Sequence, residues 1–107
     1  MKIEFLWFSG CPSHQVARHL LADAMASQGI TASVDDVDAT DIAIAKRLKF
    51  PGSPTIRVNG VDIDPGYSDP GDYTPRCRLY LTSAGLQGLP ERRWIEDALQ
   101  NALTSEA

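Results

Sequence analysis

The sequence predicts a single α/β domain spanning residues 1–107, with a mixed sheet of about four strands flanked by helices. Three observations predict this class. Residues 3–8 form a nearly continuous apolar run, residues 12–28 have helical spacing, and Asn59–Gly60 separates two apolar segments. A chain of 107 residues, 43% of them hydrophobic, suits one core and is too short for two domains of typical size.

The first half of the chain is predicted to alternate strands and helices. The run from Ile3 to Phe8 is typical of a strand buried on both faces of a sheet. A helix is predicted over 12–28, with Pro12 in its first turn, where the missing N–H costs nothing. The apolar face of this helix is predicted to contain Val16, Leu20, Leu21, Ala24 and Met25.

A second strand is predicted over 30–37, and a right-handed crossover would pair it in parallel with the first. Asp38 or Thr40 is expected to cap a second helix, because both side chains accept hydrogen bonds from free helix N–H groups. The residues of this helix expected to face inward are Ile42, Ala45 and Leu48.

The Asn59–Gly60 dipeptide predicts a tight hairpin between 55–58 and 61–63, which would add an antiparallel edge to the sheet. The register is self-consistent, since apolar pairs share one face and a pair of opposite charges lies on the other. The predicted pairs are Val58 with Val61, Ile56 with Ile63, and Arg57 with Asp62.

The segment 64–89 predicts a long excursion with two Asp-Pro-Gly turns and one short extended or helical piece over 77–81. Pro90 begins the predicted last helix. Its apolar face is predicted to contain Trp94, Ile95, Ala98, Leu99 and Ala102.

Composition and charge exclude several classes of function. The formal net charge is −4 and no basic run exceeds two residues, which argues against nucleic acid as a partner. No apolar segment approaches the length of a membrane span, and the first apolar run is too short for a signal peptide. We therefore expect a cytoplasmic protein with no membrane partner, in which two cysteines favour catalysis, redox sensing or metal binding over a permanent disulfide.

Cys11–Pro12 directly follows the first strand, and Ser53–Pro54–Thr55 directly precedes the hairpin. With this order of elements, the chain resembles the thioredoxin/glutaredoxin superfamily. The resemblance implies a three-layer sandwich with its redox motif at the start of the first helix. It also implies that Pro54 is cis and lies beside the cysteine.

The chain is still more similar to a narrower group of small thioredoxin-like proteins, some of which are tagged as alkylmercury-lyase-related. The segments that carry this resemblance are Cys11–Pro12, Ser53–Gly60, Asp64–Pro65 and Cys77–Tyr80. The cysteine and carboxylate arrangement of true organomercurial lyases is not found. The usual Cys-x-x-Cys reads Cys-Pro-Ser-His here, with His14 in the second cysteine's place, so exchange within one motif cannot operate. The chemistry then uses one cysteine, or Cys77 supplies the second thiol.

Cys11 is the candidate nucleophile, because free N–H groups at a helix N-terminus favour a thiolate over a thiol. His14 lies three residues on and is expected on the same side, where it would stabilise the thiolate or move a proton. Cys77 would resolve an intermediate on Cys11, or share a soft metal ion with it, if their Cα atoms lie within about 7 Å. The residues expected to position the substrate are Pro12, Ser53, Pro54 and Thr55.

These candidates favour a thiol–disulfide oxidoreductase or redox partner that acts on a thiol, a disulfide or a partner protein and needs no cofactor. Two alternatives stay open: a soft-metal or mercurial-binding module through both cysteines, and a protein-binding scaffold in which Cys11 has no chemical role. The acidic group Asp35, Asp36 and Asp38 is interpreted as a solvated strand end, with no hard-metal site predicted. Arg57, Arg76 and Arg78 either hold an anionic thiol or form surface ion pairs.

Overall fold

The computed structural model describes residues 1–106, which form a four-stranded mixed sheet, a separate two-stranded sheet and three helices. The strands are β1 Ile3–Trp7, β2 Val34–Asp38, β3 Thr55–Val58, β4 Val61–Asp62, β5 Tyr80–Thr82 and β6 Gly85–Gln87. The helices are α1 His14–Ser27, α2 Ile42–Arg47 and α3 Arg92–Glu106. The large sheet has the order β2-β1-β3-β4, and β5 pairs with β6 in the small one.

Strand β1 is central in the large sheet and is buried from both sides, as its apolar run predicts. It pairs in parallel with β2 and antiparallel with β3. Ile3 and Phe5 pack in one core cluster with residues of α1 and α3, whereas Leu6 packs in a second cluster with Ala45 of α2. Because alternate residues of a strand point to opposite faces, helices cover both sides of the sheet.

The predicted hairpin register is confirmed. Asn59 and Gly60 both have positive φ, 53° and 80°, and Val58 lies opposite Val61. Arg57 lies opposite Asp62, but the two side chains do not bind each other as an ion pair. The Arg57 guanidinium instead donates to the carbonyl oxygens of Leu48 and Lys49, at 2.8 and 3.0 Å, and so holds the end of α2.

Helix α1 begins at His14, two residues later than expected, because Pro12 and Ser13 form a turn. The prediction that Val16 faces inward is wrong, since this side chain is 56% exposed. Ala17 is buried in its place and shares one face with Leu21 and Ala24.

The predicted cap of α2 is also wrong. Asp41 caps the helix, and its carboxylate accepts from the N–H groups of Ala43 and Ile44 at 2.8 and 3.2 Å. The Asp38 carboxylate is already used by Thr40, whose N–H donates to it at 2.9 Å. Because the helix starts later, Ala45 is buried while Ile42 is 50% exposed.

The excursion 64–89 contains a hairpin, β5–β6, that the sequence did not predict. Tyr80 is buried and its hydroxyl donates to the Pro54 carbonyl, which ties the hairpin to the main domain. Leu81 and Leu86 face each other across the hairpin and are exposed.

Helix α3 buries Ile95, Leu99 and Ala102, as expected. Within residues 1–106, no helix has the length and apolar character needed to cross a bilayer.

Candidate functional site

Cys11 lies in the turn that leaves β1, where its N–H donates to the Phe8 carbonyl at 3.0 Å. The residue is only 2% exposed. Its thiol donates a hydrogen bond to the Ser53 carbonyl at 3.4 Å. Helix α1 begins three residues later, at His14, so Cys11 precedes the helix.

Residues 76–78, which we call the strap, lie beside the main chain of Ser53. The Ser53 N–H donates to the Arg76 carbonyl at 2.8 Å, and the Arg78 N–H donates to the Ser53 carbonyl at 2.9 Å. Cys77, between these two arginines, thereby pairs with Ser53 in an isolated parallel β-bridge. The following Ser53–Pro54 bond is cis, as the resemblance implies.

Two hydrogen bonds meet at one oxygen, because the Ser53 carbonyl accepts both the Cys11 thiol and the Arg78 N–H. A carbonyl oxygen has two lone pairs, so one group can hold both partners. Cys11 and Cys77 are separated by 66 positions along the chain (77 − 11) and are brought together at Ser53. Both are free thiols.

The strap is anchored by the guanidinium of Arg78, which is 8% exposed and binds the Asp62 carboxylate through two hydrogen bonds of 2.7 and 3.0 Å. It also donates to the Thr55 hydroxyl at 3.1 Å, and it lies 4.2 Å from the centre of the Tyr80 ring. The Asp62 side chain is 3% exposed. This buried bidentate pair is not evident in the sequence, where Asp62 is assigned to Arg57.

Cys77 is exposed, whereas Cys11 is buried. The pKa of the Cys77 thiol lies above its usual value, because the surrounding atoms remove part of its water and because Cys11 acts on it as a neighbouring charge and hydrogen-bonding partner. A raised pKa leaves less thiolate at neutral pH. Cys11 thus affects the ionisation of Cys77, which agrees with the position of both residues beside Ser53.

The reactivity of Cys77 is expected to depend on pH in a way that reports this neighbour. Its alkylation rate should still be rising above pH 9.0, the ordinary thiol pKa, because the thiolate forms only at higher pH. In Cys11→Ser the charge of one neighbour is gone, so the profile should move to lower pH. Iodoacetamide alkylation followed by mass spectrometry measures both profiles, and identical profiles would contradict the interaction.

His14 is placed in a different cluster. Its ring stacks on Trp7 with 4.7 Å between centroids, and its Nδ1 lies 3.5 Å from an Arg18 nitrogen. Arg18 and Trp7 both donate to Asp36, and these two hydrogen bonds, Arg18's the larger, hold the pKa of the Asp36 carboxyl below its usual value. Cys11 precedes α1, so the helical spacing that would align His14 with it does not apply. The described contacts give no support to the predicted role of His14.

The predicted positioning residues have separate roles. Pro12 is exposed in the turn before α1. The Thr55 hydroxyl donates to the Gly52 carbonyl at 2.6 Å and accepts from Arg78, so it helps to hold the strap. Pro54 is buried. The Ser53 hydroxyl is the one buried polar side-chain atom in residues 1–106 that lacks a hydrogen-bond partner.

The three arginines considered for an anionic thiol are all engaged. Arg57 binds carbonyl groups at the end of α2, and Arg78 binds Asp62. Arg76 donates to the Asp72 carbonyl at 2.8 Å and lies 3.6 Å from its carboxylate. The expectation that they form an anion site is therefore not supported by their contacts.

Two surface grooves lie away from the cysteines. One, of about 500 Å³, is bounded by the β3–β4 hairpin and α3, and the other, of about 470 Å³, lies between α1 and β2. Neither is lined by Cys11 or Cys77.

Across the described part of the chain, no group of three or more His, Cys, Asp or Glu side chains is arranged to hold a metal ion. The chemistry of the site rests on the two thiols.

Comparison with protein-family models, curated proteins and solved structures finds no match for this chain. Fold and site together define a mixed α/β domain in which the Cys11 thiol and the segment that contains Cys77 both bind the main chain of Ser53.

Proposed function

We propose that this chain is a thiol–disulfide oxidoreductase, with a thioredoxin-like three-layer sandwich, whose redox pair is Cys11 and Cys77. One observation carries the proposal: the Ser53 main chain binds the Cys11 thiol on one side and the strap that contains Cys77 on the other. The mixed sheet with helices on both faces adds support. A reducing cytoplasm would keep both thiols free between turnovers.

The proposed reaction moves two electrons from the two thiols to an external disulfide. The external S–S bond breaks, an internal S–S bond forms between Cys11 and Cys77, and two external thiols leave with the two protons. An external dithiol then reduces the internal disulfide and restores the starting state. The substrate is a small disulfide or a partner protein, and no cofactor is part of the proposal.

The experiment is a turnover assay with a fluorescent peptide disulfide as substrate and dithiothreitol as reductant. The wild-type chain should accelerate the exchange over the uncatalysed reaction, whereas Cys77→Ser and the double variant should not, and Cys11→Ser should be slower than the wild type. Matched controls are Ser9→Ala and Ser83→Ala, which remove hydroxyls outside the pair. The proposal fails if the double variant retains the wild-type rate, or if the oxidised wild-type chain contains no Cys11–Cys77 disulfide by mass spectrometry.

A second candidate is a site for a soft metal ion, since two adjacent thiols are also a ligand pair for Cu⁺ or Hg²⁺. This function predicts stoichiometric binding of Hg²⁺ by the reduced chain with no disulfide turnover. Cys77→Ala should then weaken the metal complex. Unchanged affinity in that variant would exclude the two-sulfur site.

A further inference from the structure

The two sulfurs differ in their access to external reagents. Cys77 is exposed, whereas Cys11 is 2% exposed and its thiol is held against the Ser53 carbonyl. Thiol–disulfide exchange requires the attacking sulfur to touch a sulfur of the disulfide. In this conformation an external disulfide reaches Cys77, while Cys11 is within reach only of groups that are already inside the site.

The strap has a fixed position beside Ser53. It is fixed at both ends by hydrogen bonds to Ser53, from the Ser53 N–H to Arg76 and from the Arg78 N–H back to Ser53. The buried pair of Arg78 with Asp62 then fixes its C-terminal end to the large sheet. Gly52 brings the main chains close together, because a Cβ at this position would lie 2.9 Å from the Arg78 Cβ. These contacts hold Cys77 beside the Ser53 carbonyl that binds the Cys11 thiol.

Building on the proposed function, we propose that Cys77 receives the external disulfide and that Cys11 acts second, from inside the protein. This reverses the order expected from the sequence, in which Cys11 attacks and Cys77 resolves. The inference depends on burial and on the hydrogen bonds of the strap. The raised pKa of Cys77 lowers its thiolate fraction and so slows the first step at neutral pH. It does not change the order of the two cysteines, because the order follows from which sulfur an external disulfide can touch.

Each step balances in atoms and electrons. In the first, the Cys77 thiol loses its proton to solvent, its sulfur attacks the external disulfide, and one external thiolate leaves and takes up a proton. In the second, Cys11 loses its proton to solvent and attacks the Cys77 sulfur, which expels the other external thiolate, and that thiolate takes up a proton. The internal disulfide then holds the oxidising equivalents. On reduction, one sulfur of an external dithiol attacks Cys77, and Cys11 leaves and takes up a proton. The second sulfur of the dithiol then attacks the first, so that Cys77 leaves with a proton and the dithiol becomes a disulfide.

The order is tested by trapping with a chromogenic aromatic disulfide that releases a coloured thiolate at each exchange. Cys11→Ser should react rapidly and keep a stable mixed disulfide on residue 77, located by peptide mass spectrometry. Cys77→Ser should react roughly a hundredfold more slowly while folded, since its reaction waits for a local opening. In denaturant both variants should react at similar rates, which shows that access rather than thiol chemistry makes the difference.

Several outcomes separate this inference from the proposed function. A mixed disulfide that forms on Cys11 in Cys77→Ser at the wild-type rate overturns the order and leaves the redox pair intact. A wild-type chain that forms the mixed disulfide on Cys77 but never passes it to Cys11 supports Cys77 as the receiving thiol and overturns the redox pair. Equal thermal unfolding of both variants and the wild type is the control for folding. Where Cys77→Ser unfolds, Cys77→Ala repeats the test.

Discussion

Replacing Arg78 with alanine is expected to lower the free energy of unfolding by about 3–5 kcal/mol. The substitution leaves the Asp62 carboxylate without its bidentate partner, and that carboxylate is 3% exposed. It also removes the cation from the Tyr80 ring and a donor from the Thr55 hydroxyl. A buried charge left without a partner is costly because water cannot replace the lost hydrogen bonds. Urea unfolding followed by circular dichroism measures the loss.

The surface pair of Arg93 with Asp97 is the matched control, since its side chains are 83% and 66% exposed. Arg93→Ala should change the unfolding midpoint little, because an exposed pair contributes almost nothing. The double variant Arg78→Met with Asp62→Leu should recover part of the stability, since the one carboxylate that then lacks its Arg78 partner is Asp64, 3.7 Å away and 17% exposed. If Arg78→Ala loses no more than Arg93→Ala, the pair does not anchor the strap.

Replacing Gly52 with alanine is expected to loosen the strap and expose Cys11. Gly52 has φ of 128°, a backbone conformation that costs about 1–3 kcal/mol in residues with a side chain. The new Cβ would also lie 2.9 Å from the Arg78 Cβ and 3.2 Å from its Cα, so the main chains must separate. The variant should be less stable, and its Cys11 should be alkylated faster than in the wild type.

Gly29→Ala controls for the backbone effect, because Gly29 has φ of 66° and a Cβ there meets no atom within 4 Å. This variant should lose some stability without a change in the alkylation of Cys11. Mass spectrometry of alkylated peptides, done below the onset of unfolding, compares the two variants. A Cys11 that stays protected in folded Gly52→Ala would show that the close approach of the strap is not what covers it.

Local sequence signals predict most of the large sheet. The unbroken apolar run of β1 indicates a strand covered on both faces, and Asn59–Gly60 sets the hairpin register because both residues tolerate positive φ. The cap of α2 is mispredicted because Asp38, Thr40 and Asp41 are all good caps by residue type. Asp38 binds Thr40, which leaves Asp41 for the helix.

The candidate site is predicted in its residues but not in its arrangement. Cys11 and Cys77 stand out by residue type, yet which of them meets solvent depends on a bridge between Ser53 and the strap that leaves no local pattern. The sequence does not reveal that Arg78 is the partner of Asp62, for the same reason. Arg57 is its neighbour across the hairpin, while Arg78 arrives from a distant segment. Strand β5 has only three residues, too few for a clear alternation.

The main chain of Ser53 has no hydrogen-bonding capacity left over. Its N–H is used by Arg76, and its carbonyl oxygen accepts from both Arg78 and Cys11. A polypeptide that bound here as an added strand would find no free donor or acceptor at Ser53, so its main chain would have to pair with other residues of this protein.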